Sequence, residues 1–140
     1  MTTNVLFLCT RNSARSQMAE AWTRHLSQGL VTAYSAGLSP SEVHPLTIQV
    51  MEEVGVSMAG ARSKGVTDFL GKVAIRQAII VCADAEKHCP SLWPFCGEVL
   101  SWPFDDPAAC TGSVDERLDE FRRVRDEIRQ RIYDWLSAAN

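Results

Sequence analysis

The chain has 140 residues, 46% of them hydrophobic and 22% charged, with a formal net charge of −3. That is the balance of a single soluble globular domain spanning 1–140, long enough to bury a core, and it offers nothing to nucleic acid or an anionic membrane. No apolar run approaches a membrane span, the start MTTNVLFLC lacks the marks of a signal peptide, and the five cysteines of a chain read as cytosolic are not expected to form a disulfide framework.

Taken in chain order, Val5–Cys9 is a continuous apolar run, as a strand buried on both faces should be. From Ser16 to about Leu30 the residues Met18, Ala19, Trp22, Leu26 and Leu30 recur at helical spacing. Val31–Ala36 reads as a second strand, closed by Gly37. Pro45 suits the first turn of a helix whose stripe is Leu46, Val50, Met51 and Val54, stopped by Gly55. Ala78–Cys82 is a third strand and Val99–Trp102 a weaker fourth. Leu118, Phe121, Val124, Ile128, Ile132 and Trp135 mark one face of a long terminal helix. Strands alternating with helices imply a four-stranded parallel sheet with helices on both faces, an α/β class of Rossmann type. Ligands in such sheets bind beyond the carboxyl ends of the strands, which puts Cys9 and Cys82 on one rim.

Cys9 opens the stretch CTRNSARS, a short polar loop leading into the first helix. A loop entering a helix offers unpaired N–H groups at the positive end of the dipole, and a thiol so placed favours the thiolate. Arg15 adds a planar fork of donors suited to two oxygens of a tetrahedral oxyanion. The turn thus combines a nucleophile with a phosphate-shaped hole. The plainer alternative, a buried strand-end cysteine beside a surface arginine, is disfavoured by the polar loop, the helix start and the C-x5-R-S spacing.

The segment CTRNSARSQMAE has the C-x5-R-S loop of the low-molecular-weight protein tyrosine phosphatase superfamily. Its continuation resembles the thioredoxin-coupled arsenate reductase branch more than the phosphatases. The likeness extends through YSAGL (34–38), HPLTIQVMEEVGV (44–56), VCADAEKHCP (81–90), WPFDDPA (102–108) and FRRVRDEI (121–128). The resemblance implies a low-molecular-weight phosphatase-like fold, with Cys9 as nucleophile and Arg15 as oxyanion clamp. It also implies that Thr10, Arg11, Asn12, Ser13, Ala14, Arg15 and Ser16 form the binding loop. Within that loop Ser16 would hydrogen-bond the thiolate and Asn12 would brace the backbone. Asp106 would be the general acid, with Asp105 as its rival. Cys82 and Cys89 would carry a disulfide relay, drained by an external dithiol such as thioredoxin.

Arsenate is the implied substrate, with phosphate and sulfate as competing oxyanions, no cofactor, and a monomeric enzyme. Arg11 replaces a glycine common in that family and either faces solvent or raises the potential at the pocket mouth. Lys64 stands where some members carry an acidic residue that helps to hold potassium. An ammonium there takes the cation's place, and no metal site is expected. Ala108 after Pro107 replaces the aromatic that typically flanks phosphotyrosine. The segment 83–97, with Pro90, Pro94 and Gly97, is one that can remodel between relay steps. Residues 110–119 read as a surface loop and an extra helical turn. Cys96 and Cys110 hold no motif position, and His25, His44 and His88 read as solvent-facing or capping. A tyrosine or acid phosphatase, and a thiol or metal sensor built on Cys82, Cys89 and Cys96, are the competing functions.

Overall fold

The computed structural model describes residues 3–69, 71–82 and 96–138. Strand β1 (Thr3–Cys9) is central, and from Val5 onward it is buried along its whole length. Strand β2 (Val31–Gly37) pairs with it in parallel from Thr3 opposite Val31 to Cys9 opposite Gly37. Strand β3 (Ile75–Ile80) lies on its other side, and β4 (Cys96–Ser101) forms the far edge. The order β2-β1-β3-β4 makes an all-parallel sheet.

Helix α1 (Arg15–Ser27) ends three residues before the apolar spacing suggests. Gln28 and Gly29 both adopt positive φ there, turning the chain into β2, and Leu30 is left 64% exposed. Such a left-handed close is a common way for a helix to stop. Helix α2 (Pro45–Glu52) begins at a proline, with His44 as its N-cap accepting the Leu46 N–H on its ring. Val54 falls after the helix end and is exposed, so it is not part of the stripe. Helix α3 (Val114–Ala138) follows a loop at 110–113. Its start is a capping box: Glu116 N–H donates to Ser113 Oγ at 3.2 Å, and Ser113 N–H donates to the Glu116 carboxylate at 3.4 Å.

Two strands are displaced from their expected limits. β3 starts at Ile75 and ends two residues before Cys82, and β4 starts at Cys96 and stops before Trp102. Both carry polar or charged residues (Arg76 and Gln77; Glu98) in their first halves, which dilute the apolar signal there. Gly97 therefore lies inside β4 rather than in a loop. A Cβ there would come 2.7 Å from the Arg76 carbonyl oxygen, so the edge strand can approach β3 only because that residue is glycine.

Alternate residues of β1 serve two cores. Val5, Phe7 and Cys9 face the cluster containing Met18 and Trp22 of α1, Val50 and Met51 of α2, and Phe121 and Ile128 of α3. Leu6 and Leu8 face Ala36, Val66, Phe69, Ile75 and Ala78, where a short 3-10 helix (Val66–Asp68) covers the sheet. Trp22 and Trp102 are buried and Trp135 packs edge-on against Trp102, while Trp93 lies outside the described residues. The chain runs from β1 to β2 on one side and then returns to β3 on the other. The crevice between the carboxyl ends of β1 and β3 is therefore the topological switch point.

Glu53, just past α2, receives Arg122 Nε at 2.8 Å and Arg125 from α3 at 2.8 Å. The hydrogen bonds from Arg122, then those from Arg125, hold its carboxyl down at about 2 from an ordinary 4.5. A carboxylate favoured in the fold stabilises above its unfolded pKa, and that contribution disappears as pH falls from 4.5 toward 2. Glu53→Gln should thus lower Tm at pH 6, and the gap to wild type should close between pH 4.5 and 2 in a thermal-melt series.

Candidate active site

Six consecutive carbonyls of the Cys9 loop are occupied. Cys9 O accepts Leu38 N–H at 3.2 Å, Thr10 O accepts Ser39 N–H at 2.8 Å, and Arg11 O accepts Ser41 N–H and Ser63 Oγ. Asn12 O accepts Gln17 Nε2, Ser13 O accepts His44 N–H and Thr47 Oγ1, and Ala14 O accepts Met18 N–H. In a planar trans peptide the next N–H points opposite to each carbonyl. Pinning the oxygens outward therefore turns the amides of the loop away from them, and the Asn12 N–H reaches Cys9 Sγ.

Cys9 itself is 3% exposed. Its Sγ accepts the Asn12 N–H at 3.2 Å and lies 2.9 Å from Ser16 Oγ. Asn12 is fully buried at φ +54°, a left-handed conformation that asparagine tolerates better than most side chains. Three contacts hold it there. Its Nδ2 donates to Ser16 Oγ at 2.8 Å, and its Oδ1 accepts Gln17 Nε2 at 2.9 Å and Lys64 N–H at 2.8 Å. Polar residues are thus fully paired beneath the Cys9 sulfur, as buried polar groups must be.

Arg15, the first residue of α1, donates through Nη1 to Phe104 O at 3.1 Å. Phe104 is in turn fixed by its N–H to Val81 O, so the segment after β4 aims the guanidinium. Arg15 Nη2 stands 3.7 Å from Asp106 Oδ2. Asp106 caps the 3-10 turn Pro107–Ala109, accepting the Ala108 N–H on Oδ1, and is 44% exposed. Asp105, 78% exposed, pairs instead with Arg123 of α3 at 3.0 Å. The cleft between these groups has a volume of about 940 Å³ and is lined by Cys9, Arg15, His44, Cys82, Asp105 and Asp106 among others. Arg11 sits at its mouth with an exposed side chain. His44 presents its ring to Phe121 at a centroid distance of 4.8 Å. Burial, then the charge of Arg117, lowers its pKa from the ordinary 6.5, against the opposing pull of Asp106.

Cys82 is 1% exposed and lines the same cleft, with its Sγ 3.5 Å from Thr10 Oγ1 on the Cys9 loop. Cys110 lies apart from the cleft lining, its thiol turned to Thr111 O. His25 is exposed, its ring edge-on to Trp22, and His44 is a cap. Cys89 and His88 lie outside the described residues, as does the Cys96 side chain. Among the described residues no three His, Cys, Asp or Glu side chains converge on a metal-sized site, and no helix is long and apolar enough to cross a membrane.

Two supporting residues escaped the motif reading. Gln17 is buried and bridges Asn12 to Arg62 O, although in sequence it is only a polar residue between helix-forming neighbours. Gly37 closes β2 directly under the loop, where a Cβ would meet Thr10 O at 2.7 Å and Arg11 C and Asn12 N at 2.8 Å. The closing position of a strand was visible in the sequence, but not the backbone it would touch.

The family of low molecular weight phosphotyrosine protein phosphatases matches residues 4–140. The chain belongs to that family. It is 38% identical over 131 residues to an arsenate reductase of Halalkalibacterium halodurans, covering 91% of each chain. A solved structure of an arsenate reductase in the phosphate-binding state superimposes with a TM-score of 0.83 at 31% identity, over 99% of this chain and all of that one. The thioredoxin-dependent arsenate reductase Cg_ArsC1' of Corynebacterium glutamicum matches with a TM-score of 0.69 at 28% identity, over 99% of this chain and 64% of that one.

Gly37→Ala tests the close approach under the loop. The methyl group meets backbone, which cannot rotate away, so the loop must shift. The variant should lose about 1–3 kcal/mol of stability in urea unfolding. It should also bind inorganic phosphate at least severalfold more weakly by calorimetry.

Proposed function

We propose that this chain is an arsenate reductase: a cytoplasmic, monomeric, single-domain enzyme that passes two electrons from its own thiols to arsenate and recovers them from thioredoxin. The observation that carries the reading is a second buried thiol, Cys82, lining the same cleft as Cys9 and touching its loop through Thr10. A phosphatase has no use for that thiol, whereas a reductase requires it. The arsenate reductases to which the chain is similar support the same choice.

The reaction begins with arsenate held by the inward amides of residues 10–15 and the Arg15 fork. The Cys9 thiolate attacks arsenic, and one arsenate oxygen leaves as water after taking a proton from Asp106. Asp106 is favoured over Asp105 because it faces Arg15 across the cleft, while Asp105 is tied to α3. The Cys82 thiolate then attacks Cys9 Sγ. The sulfur–arsenic bond breaks with its electron pair going to arsenic, so As(V) becomes As(III) and arsenite departs. A Cys9–Cys82 disulfide remains. Attack of Cys89 on Cys82 releases the Cys9 thiolate and leaves a Cys82–Cys89 disulfide, which an external dithiol reduces by exchange.

A phosphatase shares the first step, but water completes its second. The deciding experiment measures arsenate-dependent NADPH consumption with a reconstituted thioredoxin system, beside aryl phosphate hydrolysis by the same preparation. Cys9→Ser should abolish both activities. Cys82→Ser should abolish arsenate reduction alone; equal loss of both would make Cys82 structural, and arsenate turnover without Cys82 would refute the relay. Asp106→Asn should slow aryl phosphate hydrolysis by about 10²–10⁴ while oxyanion binding persists. A mild Asp106→Asn beside a damaging Asp105→Asn would move the acid to its neighbour.

A further inference from the structure

His44 stands where helix α2, the Cys9 loop and the cleft meet, and the reaction gives it no part. Its main-chain N–H donates to Ser13 O at 3.1 Å, pinning one carbonyl of the loop. Its own carbonyl accepts the Thr47 and Ile48 N–H groups at 3.0 and 3.3 Å, and Thr47 Oγ1 reaches the same Ser13 O at 3.3 Å. Both donors to Ser13 O thus come from the cap and first turn of α2. They stay in place only while that turn does.

The cap is the ring itself. His44 Nδ1 accepts the Leu46 N–H at 3.1 Å, so in the neutral ring Nδ1 is bare and Nε2 carries the proton. An N-cap acceptor is ordinarily an oxygen of Ser, Thr, Asp or Asn, none of which gains a proton near neutral pH. An imidazole does. A proton on Nδ1 turns the acceptor into a donor facing the Leu46 N–H, and it sets a positive charge at the positive end of a helix. The charged ring must leave the cap.

The surroundings of the ring oppose that proton. It packs on Phe121 with centroids 4.8 Å apart, and burial, then the charge of Arg117 on α3, lowers its pKa from 6.5. Asp106, in the same cleft lining, pulls the other way. Cys9, Arg11, Arg15, Glu42, Cys82 and Asp105 are the other ionisable groups of that lining. A lowered pKa holds the neutral form in the fold, so the cap is intact at pH 6.5 and above and is lost as the pH falls through the lowered value.

We propose that His44 is a positioning residue for the oxyanion loop: its ring caps α2, the capped turn holds Ser13 O, and a proton on Nδ1 loosens that hold. This rests on the reading of the loop as an oxyanion site. Ser13 O and the Ala14 N–H share one peptide plane, so a freed carbonyl lets that amide turn out of line. Oxyanion binding should therefore weaken on mild acidification. The added charge by itself would draw an anion in, but it falls in an open cleft within the field of the Asp106 carboxylate, where water and that carboxylate screen it.

The test measures sulfate binding by calorimetry at about pH 8 and about pH 5. Sulfate keeps its double charge across that span, in which histidine is the side chain that ordinarily titrates. Every arm carries Cys9→Ser, so that no thiolate in the loop titrates against the ligand. With His44 in place, the dissociation constant should rise about fivefold from the higher pH to the lower, the scale of one lost N-cap. His44→Asn supplies a cap oxygen that does not titrate. It should match at the higher pH and keep its affinity at the lower. His44→Ala should bind weakly at both, and His44→Asn decides the matter should His44→Ala fail to fold. His25→Asn should leave the pH response as it is.

A pH response that survives in His44→Asn would overturn the proposal. So would an affinity that rises on acidification, which would make the ring a direct contact for the anion, or a His44→Asn variant already weak at the higher pH. Failure of both sulfate and phosphate to bind at the higher pH would instead remove the oxyanion reading of the loop, and the proposal with it.

Discussion

The site depends on a constraint of the peptide backbone. Every carbonyl from Cys9 to Ala14 has a donor outside the pocket, and the rigidity of the peptide plane does the rest. An anion hole made of main-chain amides has no charge to neutralise and no side chain to reorient when ligand arrives, so it is organised in advance. The donors that hold it come from three stretches: residues 38–47, Gln17 and Met18 on α1, and Ser63 beside Lys64. None of these touches the reacting atoms. The sheet, by setting Gly37 opposite Cys9, brings the first stretch into place.

Charge within the site is arranged in two tiers. Arg15 is the cation above the loop, steered by a carbonyl of the segment after β4 and facing the Asp106 carboxylate. Lys64 is the cation below it, answering Glu20. The upper charge lines the cleft, its side chain 15% exposed, whereas the lower one is enclosed and paired with Glu20. A pocket for a doubly charged oxyanion can thus exist in a chain whose net charge is negative. Composition and net charge describe the whole chain and could not reveal this local inversion of sign.

Much of the fold was legible in the sequence, because its signals are local. Continuous apolar runs mark strands buried on both faces, and β1 and β2 follow them closely. The long stripe from Leu118 to Ile132 marks α3, while its capping box at Ser113 and Glu116 was not read from the sequence. The departures have physical causes. A left-handed Gln28 closes α1 before Leu30, a choice that no spacing of apolar residues encodes. β3 and β4 carry polar side chains in their first halves, which shortened the apparent strands. At the site, the C-x5-R-S spacing located the loop and the Asp-Pro pair located the opposite lip. The braces were harder: Gln17 and Gly37 matter for what lies across from them, at sequence separations that one-dimensional patterns do not reach.

The outward hydrogen bonds of the loop also order events in time. Cys9 and Arg15 leave the ribosome early, yet the donors that shape their pocket extend to Ser63 and Lys64, about fifty residues downstream. A nascent chain that has emerged only through α1 carries the thiol and the guanidinium with nothing to turn the amides inward. Closure of that long loop, together with docking of β2 against β1, is a non-local step of the kind that sets the pace of folding. The sulfur acquires these surroundings only once the chain through Lys64 has folded back onto the loop. Its chemistry is therefore a late reporter of folding, and the unfinished chain exposes an ordinary cysteine.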